Sequence, residues 1–484
     1  MKLLHRFNGG IHPPQHKTES TRLPILSAPI PEKLVIPLHQ HIGTSAKPLV
    51  ATGDAVLKGQ MIGKAEGYVS SSIHAPTSGK ITAIGYEPAP HPSGLRDLCI
   101  TLEPDGLDAW IERHPLDYLN MDPSSLRNRL RDAGVVGLGG AVFPSFIKLN
   151  PGSGKKIKTL VLNGAECEPY ITCDDMLMRE RADEIVAGAK IMRFMLHAEE
   201  VLIGIEDNKP EAIAAMRAAL KEAPFEVIPV PTIYPGGGAK QLIRVLTGIE
   251  VPAGERSTDL GVQCFNVATA LSVYRAIAHG EPVLSRIVTI TGAVNKPRNY
   301  EALIGTPIDF LIRLAAPVKD SDGAIMGGPM MGFELPSTCV PLVKATNCII
   351  VKSAALFPPA PQPMPCIRCG KCAESCPADL QPQELYWFSK AGNFGKAQEY
   401  ALFDCIECGC CSYVCPSHIP LVQFYRYAKS EIWAQEREKK ASDLARIRHE
   451  LRVERMEREK REKAERLAQK SAQARTQMNS EEET

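Results

Sequence analysis

The 484-residue chain has no run of eighteen apolar residues, so no segment predicts a membrane-spanning helix. Its opening, MKLLHRFNGGIHPP, is too poor in apolar residues for a secretory signal, which predicts a cytoplasmic location. There is no surplus of either charge. With 56 Lys and Arg against 55 Asp and Glu the formal net charge is +1, which gives a nucleic-acid or polyanion partner no support. What remains, 44% hydrophobic and 23% charged residues, is ordinary for a soluble protein of roughly two to four domains, each able to bury its own core.

Cysteine, by contrast, is plentiful. Fifteen thiols without an export signal argue against disulfides, because cytosolic thiols stay reduced. Nine of the fifteen fall between positions 366 and 415, and that clustering points to metal. CIRCGKCAESCP supplies Cys366, Cys369, Cys372 and Cys376, and CIECGCCSYVCP supplies Cys405, Cys408, Cys411 and Cys415. Both follow C-x2-C-x2-C-x3-C-P, the bacterial [4Fe-4S] run. Three thiolates spaced two apart wrap one cubane where the backbone bends tightly, and Gly370 and Gly409 permit the bend. The fourth Cys reaches the other cluster. One cluster therefore takes Cys366, Cys369, Cys372 and Cys415, and the other takes Cys405, Cys408, Cys411 and Cys376. Structural zinc, the alternative, uses four ligands as two separated pairs and matches two complete runs poorly. Cys410 is read as a spare thiol. Cys99, Cys167, Cys173, Cys264, Cys339 and Cys348 are read as buried free thiols.

Residues 30 to 103 alternate short β-forming runs with glycine turns. The segments GDAVLKGQ and HAPTSGKI resemble the lipoyl/biotinyl barrel-sandwich fold. The hairpin tip between them, GYVSSSIHA, lacks the modifiable lysine, which predicts a structural or docking role. From 124 to 280, TLVLNGAE and EVLIGIED read as buried strands. RADEIVAGAKIMRFMLHA and KPEAIAAMRAALKEA read as amphipathic helices, with Met192 and Met195 in the core, so an α/β sandwich is expected. TGAVNKPRNYE and GTPI resemble the soluble-ligand-binding β-grasp repeat. LFPPAPQPMP reads as a linker, and the segment between the cysteine motifs as two short helices. The Lys, Arg and Glu run from about 431 reads as a solvated helix that frays into disorder.

GVVGLGGAVFPSFIKL, residues 134 to 149, packs four glycines into seven positions. It is not a dinucleotide fingerprint, because Val142 stands at the third glycine position, and it lacks the Gly-Lys-Ser/Thr ending of a Walker loop. Together with NGAECEP, YPGGGAKQLI and GVQCFNVATAL it resembles the flavin- and NADH-binding subunit of respiratory complex I, with its G-R-G-G-A-G-F-P-T-G-L-K loop and N-A-D-E-x-E-P stretch. With FNGGIHP, the lipoyl-like and β-grasp segments and the two cysteine motifs, the chain to about residue 430 resembles the RnfC (RsxC) family of Rnf (Rsx) ion-translocating electron transport complexes.

The resemblance implies a multidomain α/β protein. Its parts are an arm (1–29), a lipoyl-like barrel-sandwich module (30–115), a complex I flavin-subunit-like α/β sandwich (116–283), a β-grasp, SLBB-like region (284–355), a linker (356–365), an α-helical dicluster ferredoxin module (366–430) and a charged tail (431–484). It implies a peripheral subunit on the cytoplasmic side of the bacterial inner membrane. Electrons would pass from NADH through FMN and two [4Fe-4S] clusters toward other membrane and peripheral subunits, with ferredoxin or another redox partner engaged. The backbone of Gly137, Gly139 and Gly140 would approach flavin and nicotinamide, Phe143 would stack there, and Lys148 would meet the FMN phosphate. Asn163, Glu166 and Glu168 would line the isoalloxazine, Asn266 and Thr269 the phosphate, and Tyr234 with Gly236, Gly237 and Gly238 the opposite wall. The chain departs from these patterns at Leu138, Val142, Ala165 and Ala239. An alternative is thereby left open: an iron-sulfur docking or adaptor subunit whose flavin-type domain binds no nucleotide.

Overall fold

The computed structural model describes residues 3–152, 154–221 and 223–482. The chain divides into two compact units, Met1–Gln383 with Asp404–Pro420, and Glu384–Phe403 with Leu421–Thr484.

In the first unit, residues 34–104 form two small sheets. One takes the strands Leu34–Pro37, Arg96–Pro104, Gly79–Pro88 and Ala55–Val56 in that order, and the other takes Lys47–Pro48, Met61–Lys64 and Ile73–His74. Alternate residues of these strands, among them Leu34, Ile36, Ile62, Ile73, Ile81, Ile100 and Leu102, fill the space between the sheets. The hairpin tip that lacks a lysine is docked. Ser70, Ser71 and Ser72 are buried, and the Ser71 N–H donates to His41 Nε2 at 3.0 Å. The Lys344 ammonium ties this tip to the base of the glycine loop, donating to the Ser72 and Gly134 carbonyls at 3.3 and 2.7 Å. Burial pulls the Lys344 pKa down to about 7.

The α/β domain is built on four parallel strands in the order Phe225–Val230, Glu200–Glu206, Thr159–Gly164, Val262–Asn266. Their near-continuous Val, Ile and Leu content suits a sheet covered on both faces. The chain runs outward from the Thr159–Gly164 strand on one side, then crosses back to place Val262–Asn266 on its other side. That reversal opens a crevice past Gly164 and Asn266, the position where parallel sheets bind ligands. Pro210 opens the helix Pro210–Leu220, and Asn266 caps Val267–Ala278 by accepting from the Ala268 N–H.

A mixed six-stranded sheet follows, with Leu26–Ser27 of the amino-terminal segment as its edge strand beside Arg298–Leu303. Helix Ile308–Leu314 covers its core with Ile308 and Leu311. Residues 3–29 are thus woven through this unit, with backbone pairs at His5, Gly10, Ile11, Leu26, Ser27 and Ala28 along the way. Of the six scattered cysteines read as buried, Cys339 is exposed and Cys167 half-buried. Cys339 lies in the loop PSTCVP, of which only the last two residues, Val340 and Pro341, are buried.

In the second unit, the charged tail is helical as the sequence reads, but the helix is longer than expected and does not fray among the described residues. A single helix, Leu421–Glu482, starts before position 431 and continues through it without a break. Leu421, Val422, Tyr425, Ala428 and Ile432 give its first turns one buried stripe. Beyond them, strong helix formers and pairs such as Arg446–Glu450 and Arg455–Glu459 sustain it, each pair worth a few tenths of a kcal/mol.

The helices Ala182–Leu196 and Val267–Ala278 cross at Gly188, where an added Cβ would stand 1.9 Å from the Ala270 carbonyl oxygen. Glycine to alanine in a helix ordinarily stabilises by about 1 kcal/mol. Gly188→Ala is expected to destabilise by roughly 1–3 kcal/mol through overpacking. Urea unfolding of the full chain measures this, and a stabilised variant would refute the close crossing.

Candidate functional site

The glycine loop closes on itself. Its Gly137 N–H donates to the Phe143 carbonyl at 2.8 Å, and Val136 bridges to Pro144. Leu138 points inward, its N–H donating to Thr269 Oγ1 at 2.9 Å and its carbonyl accepting from Arg286. Gly139 lies on Asn266, where an added Cβ would be 3.1 Å from the Asn266 Cβ. Gly140 has φ +107° and nothing within 4 Å of an added Cβ. The loop thus sits on the amino end of Val267–Ala278, at the crevice, with Gly139, Gly140 and Ala141 exposed. Val142 has φ +41°, a left-handed conformation that suits glycine and strains a β-branched residue. Phe143, expected to stack on the flavin, is half-buried at the end of this hairpin.

Beneath Leu138 a cavity of about 50 Å³ touches Asp174, Ala268 and Arg286. It has room for water but not for a flavin. The buried Arg286 Nη1 finds no hydrogen-bond partner there. The exposed side of the loop, where Gly139 and Gly140 leave backbone uncovered, is where a flat ligand has room beside this cavity.

The loop after Thr159–Gly164 is held from within. Asn163 Nδ2 donates to the Gly237 carbonyl at 2.8 Å, while its Oδ1 accepts from the Ala165 N–H at 3.0 Å. Glu166 is buried and accepts from the Asp174 and Asp175 N–H groups at 2.8 and 3.4 Å. Asp174 in turn accepts from Asn266 Nδ2 at 2.6 Å, which joins Glu166 to the crevice. Desolvation raises the Glu166 pKa, against the pull of Lys17. The Lys17 ammonium, 8% exposed, donates to the carbonyls of Glu166, Glu168 and Ile171 at 2.7, 2.8 and 2.6 Å. Glu166, Cys173 and Asp174 lie close enough to share a metal, but each carboxylate already has protein donors.

Several expected flavin contacts lie elsewhere. Lys148 donates to the Cys264 carbonyl and lies 4.4 Å from the Phe265 ring centre, because the short helix Ser145–Lys148 lays it on that strand. Glu168 turns toward the β-grasp region and accepts from the Met330 and Met331 N–H groups at 3.2 and 2.7 Å. Gly237 is packed so that an added Cβ would meet the Ala165 carbonyl oxygen at 2.1 Å. Added Cβ atoms on Gly236 and Gly238 would meet the Ile233 carbonyl oxygen at 2.7 Å and Gln241 Oε1 at 2.4 Å. These three glycines pack a turn; the open backbone is at Gly139 and Gly140. The Tyr234 hydroxyl donates to the Cys408 carbonyl at 2.6 Å and so faces the second cysteine loop.

The two cysteine loops are conformational copies. Arg368 and Glu407 have φ +56° and +58°, Gly370 and Gly409 +79° and +84°, and Asp379 and His418 both +51°. The Arg368 and Glu407 N–H groups donate to Cys366 and Cys405 Sγ, each at 3.4 Å. Left-handed non-glycine residues cost on the order of 1–2 kcal/mol each, so their repetition marks loops shaped to turn sulfurs inward. Cys376 lies within electrostatic reach of Cys408 and Cys411, beside the opposite motif. This donor set fits iron-sulfur clusters. The loops differ in setting: Cys369 is exposed, Cys408 is buried, and Cys410 is fully buried with its Sγ 3.9 Å from the Tyr234 carbonyl oxygen.

Sequence reasoning missed Lys17, Arg286 and Met330. Each is a lone residue in an unremarked stretch, and its role depends on segments distant in the chain. Asp174 had a weak signal in its place just after the N-x-x-E-x-E-P-like stretch.

Desolvation lifts the Glu168 carboxyl from 4.5 to about 7, against the Met330 and Met331 N–H groups that favour its charge. The folded chain then binds more protons than the unfolded chain between those values. This group makes stability fall as pH rises from 4.5 to about 7, with no further change above. Glu168→Gln is expected to flatten that decline, as urea midpoints at pH 5 and 7.5 would show; an equal decline in both proteins would absolve Glu168.

Comparison with known proteins covers the same regions. Residues 130–275 match the Nuo51 FMN-binding domain, 5–107 the RnfC barrel sandwich hybrid domain, 287–334 the SLBB domain and 365–419 the 4Fe-4S dicluster domain. The C subunit of the ion-translocating oxidoreductase complex of Pseudomonas aeruginosa is 49% identical over 407 residues, 84% of this chain and 53% of its own length. A protein of the same description from Haemophilus influenzae is 48% identical over 457 residues, 94% of this chain and 70% of its own. The chain thus spans between half and seven-tenths of these curated relatives. A solved NAD+-reducing [NiFe]-hydrogenase chain aligns with TM-score 0.46 and 21% identity, over 57% of this chain and 54% of that one. On the identity and coverage shared with the Haemophilus relative, the chain belongs to the RnfC family, the C subunits of ion-translocating oxidoreductase complexes.

Proposed function

We propose that this chain is a peripheral electron-transfer subunit of a membrane-bound complex that couples electron flow to ion translocation. Its carriers would be two [4Fe-4S] clusters, with FMN and NADH engaged at the glycine loop. The observation that carries this reading is the pair of copied cysteine loops, one of them buried against the domain that bears the glycine loop. Cys366, Cys369, Cys372 and Cys415 are assigned to the first cluster, and Cys405, Cys408, Cys411 and Cys376 to the second; the proximity of Cys376 to Cys408 and Cys411 supports the exchange. The relatives' shared description, a subunit of an ion-translocating complex, supports docking on a membrane through partner subunits, and the site assigned to it under this reading is the cytoplasmic face of the inner membrane. Among the described residues no helix is long and apolar enough to cross a membrane. Ferredoxin or another one-electron carrier is the redox partner such a subunit would meet.

When bound, FMN supplies the conversion between a two-electron hydride donor and one-electron clusters. This chain's part is positional. Gly139 and Gly140 present uncovered backbone, Asn266 and Thr269 anchor the loop from below, and Glu166 reaches it through Asp174 and Asn266. A second reading, a docking subunit without nucleotide, is favoured by Val142 in its left-handed conformation and by the commitment of Lys148 and Glu168 to protein partners.

Anaerobic purification of the full chain is expected to give eight irons per chain, with flavin near one to one that bleaches on NADH addition. Full iron with no flavin and no NADH binding would leave only the second reading. In Cys369→Ala one cluster's signal is expected to vanish, and retention of all eight irons would overturn the ligand assignment.

A further inference from the structure

Four segments far apart in the chain meet at the second cysteine loop. Tyr234 is 1% exposed, and its hydroxyl donates to the Cys408 carbonyl at 2.6 Å. Its backbone pairs with Ile11 in both directions, at 2.8 and 2.9 Å. The Gly10 N–H donates to the Ser375 carbonyl at 3.0 Å, and an added Cβ on Gly9 would stand 2.7 Å from the Cys376 carbonyl carbon. The Met330 carbonyl oxygen lies 3.0 Å from an added Cβ on Gly409. Ile11, Tyr234, Cys408 and Cys410 form one apolar cluster with Met330 and Cys167 at its margin. The first loop, although the same in backbone, leaves its Cys369 exposed.

We propose that Tyr234 is a positioning residue for the second cluster, whose hydroxyl raises that cluster's reduction potential relative to the first by binding the Cys408 carbonyl. The inference rests on the assignment of an iron-sulfur cluster to this loop. Reduction adds one electron and no proton, so the added charge must be stabilised by fixed dipoles nearby. A carbonyl oxygen left bare beside the cluster opposes that charge, and a phenol donating to it offsets the opposition. The surroundings are buried and, apart from the Glu168 carboxyl held on the Met330 and Met331 N–H groups, apolar, and there such a bond counts for more than in water. Hydrogen bonding and solvent exposure set cluster potentials, and both differ between the two copies.

The test is a redox titration of the full chain followed by electron paramagnetic resonance, with the second cluster identified as the signal altered in Cys408→Ser. Tyr234→Phe keeps the ring against Ile11, Cys410 and Met330 and deletes only the donor. Iron content is expected to stay at the wild-type value. At a fixed ambient potential the second cluster's reduced-to-oxidised ratio is expected to fall roughly three- to tenfold, tenfold being about 59 mV for a one-electron couple, while the first cluster does not move. Replacing Tyr234 with 3-fluorotyrosine strengthens the donor and is expected to shift the same signal the opposite way, which a merely structural role would not do. Two unmoved potentials, or equal shifts in both clusters, in both substituted proteins would overturn the proposal. A wild-type chain without iron-sulfur signals would instead overturn the cluster assignment beneath it.

Discussion

The Lys17 ammonium is held by three main-chain carbonyls of the Glu166–Ile171 loop, and much of the site depends on that grip. A buried charge of this kind is tolerated only when it is fully hydrogen-bonded, so the loop must curl around it. Once curled, the loop turns its two carboxylates in different directions. Glu166 accepts from the start of helix Cys173–Glu180 and thereby reaches Asp174 and Asn266 at the crevice. Glu168 accepts from the Met330 and Met331 N–H groups, and the Met330 carbonyl lies against Gly409. One cation from the amino-terminal segment thus sets the shape of the element that joins the sheet's open end to the cysteine loop.

Val142 and the cysteine loops both hold side chains in left-handed backbone, with different consequences. In the cysteine loops the strained positions recur in register: the Arg368 and Glu407 N–H groups turn on sulfur, and those of Asp379 and His418 turn back on the Cys376 and Cys415 carbonyls. Val142 has no such counterpart. Its strain lies at the end of the glycine loop, beside the exposed backbone that a flat ligand would cover.

Periodicity makes the helices Ala182–Leu196 and Pro210–Leu220 and the strands Thr159–Gly164 and Glu200–Glu206 readable in the sequence, because each carries its own burial pattern. The cysteine spacing was readable for the same reason: the ligands of a loop are local. Lys148 and Tyr234 were not. Their motif positions say which loop they belong to, but the direction of a long side chain is fixed by what packs across from it, here Cys264 and Cys408. Lys17 was silent altogether, since nothing in QHKTES distinguishes it from a solvated lysine. The tail's helix was readable from its paired charges, but not its extent, because a scarcity of apolar residues conceals how strongly Glu, Lys, Arg and Ala favour helix.

The route of the amino-terminal segment also bears on how the chain is made. Asn8 bonds Asp379, a partner 371 positions later, and Gly10 bonds Ser375. Residues 8 to 10 therefore lack their partners until the segment 375–379 is present. Closing so long a loop adds entropic cost only slowly with length, but it cannot begin until the first cysteine motif has been synthesised. Seating of residues 8–10 and shaping of the loop at Ser375–Asp379 are thereby one event, in which two segments separated by most of the chain order each other.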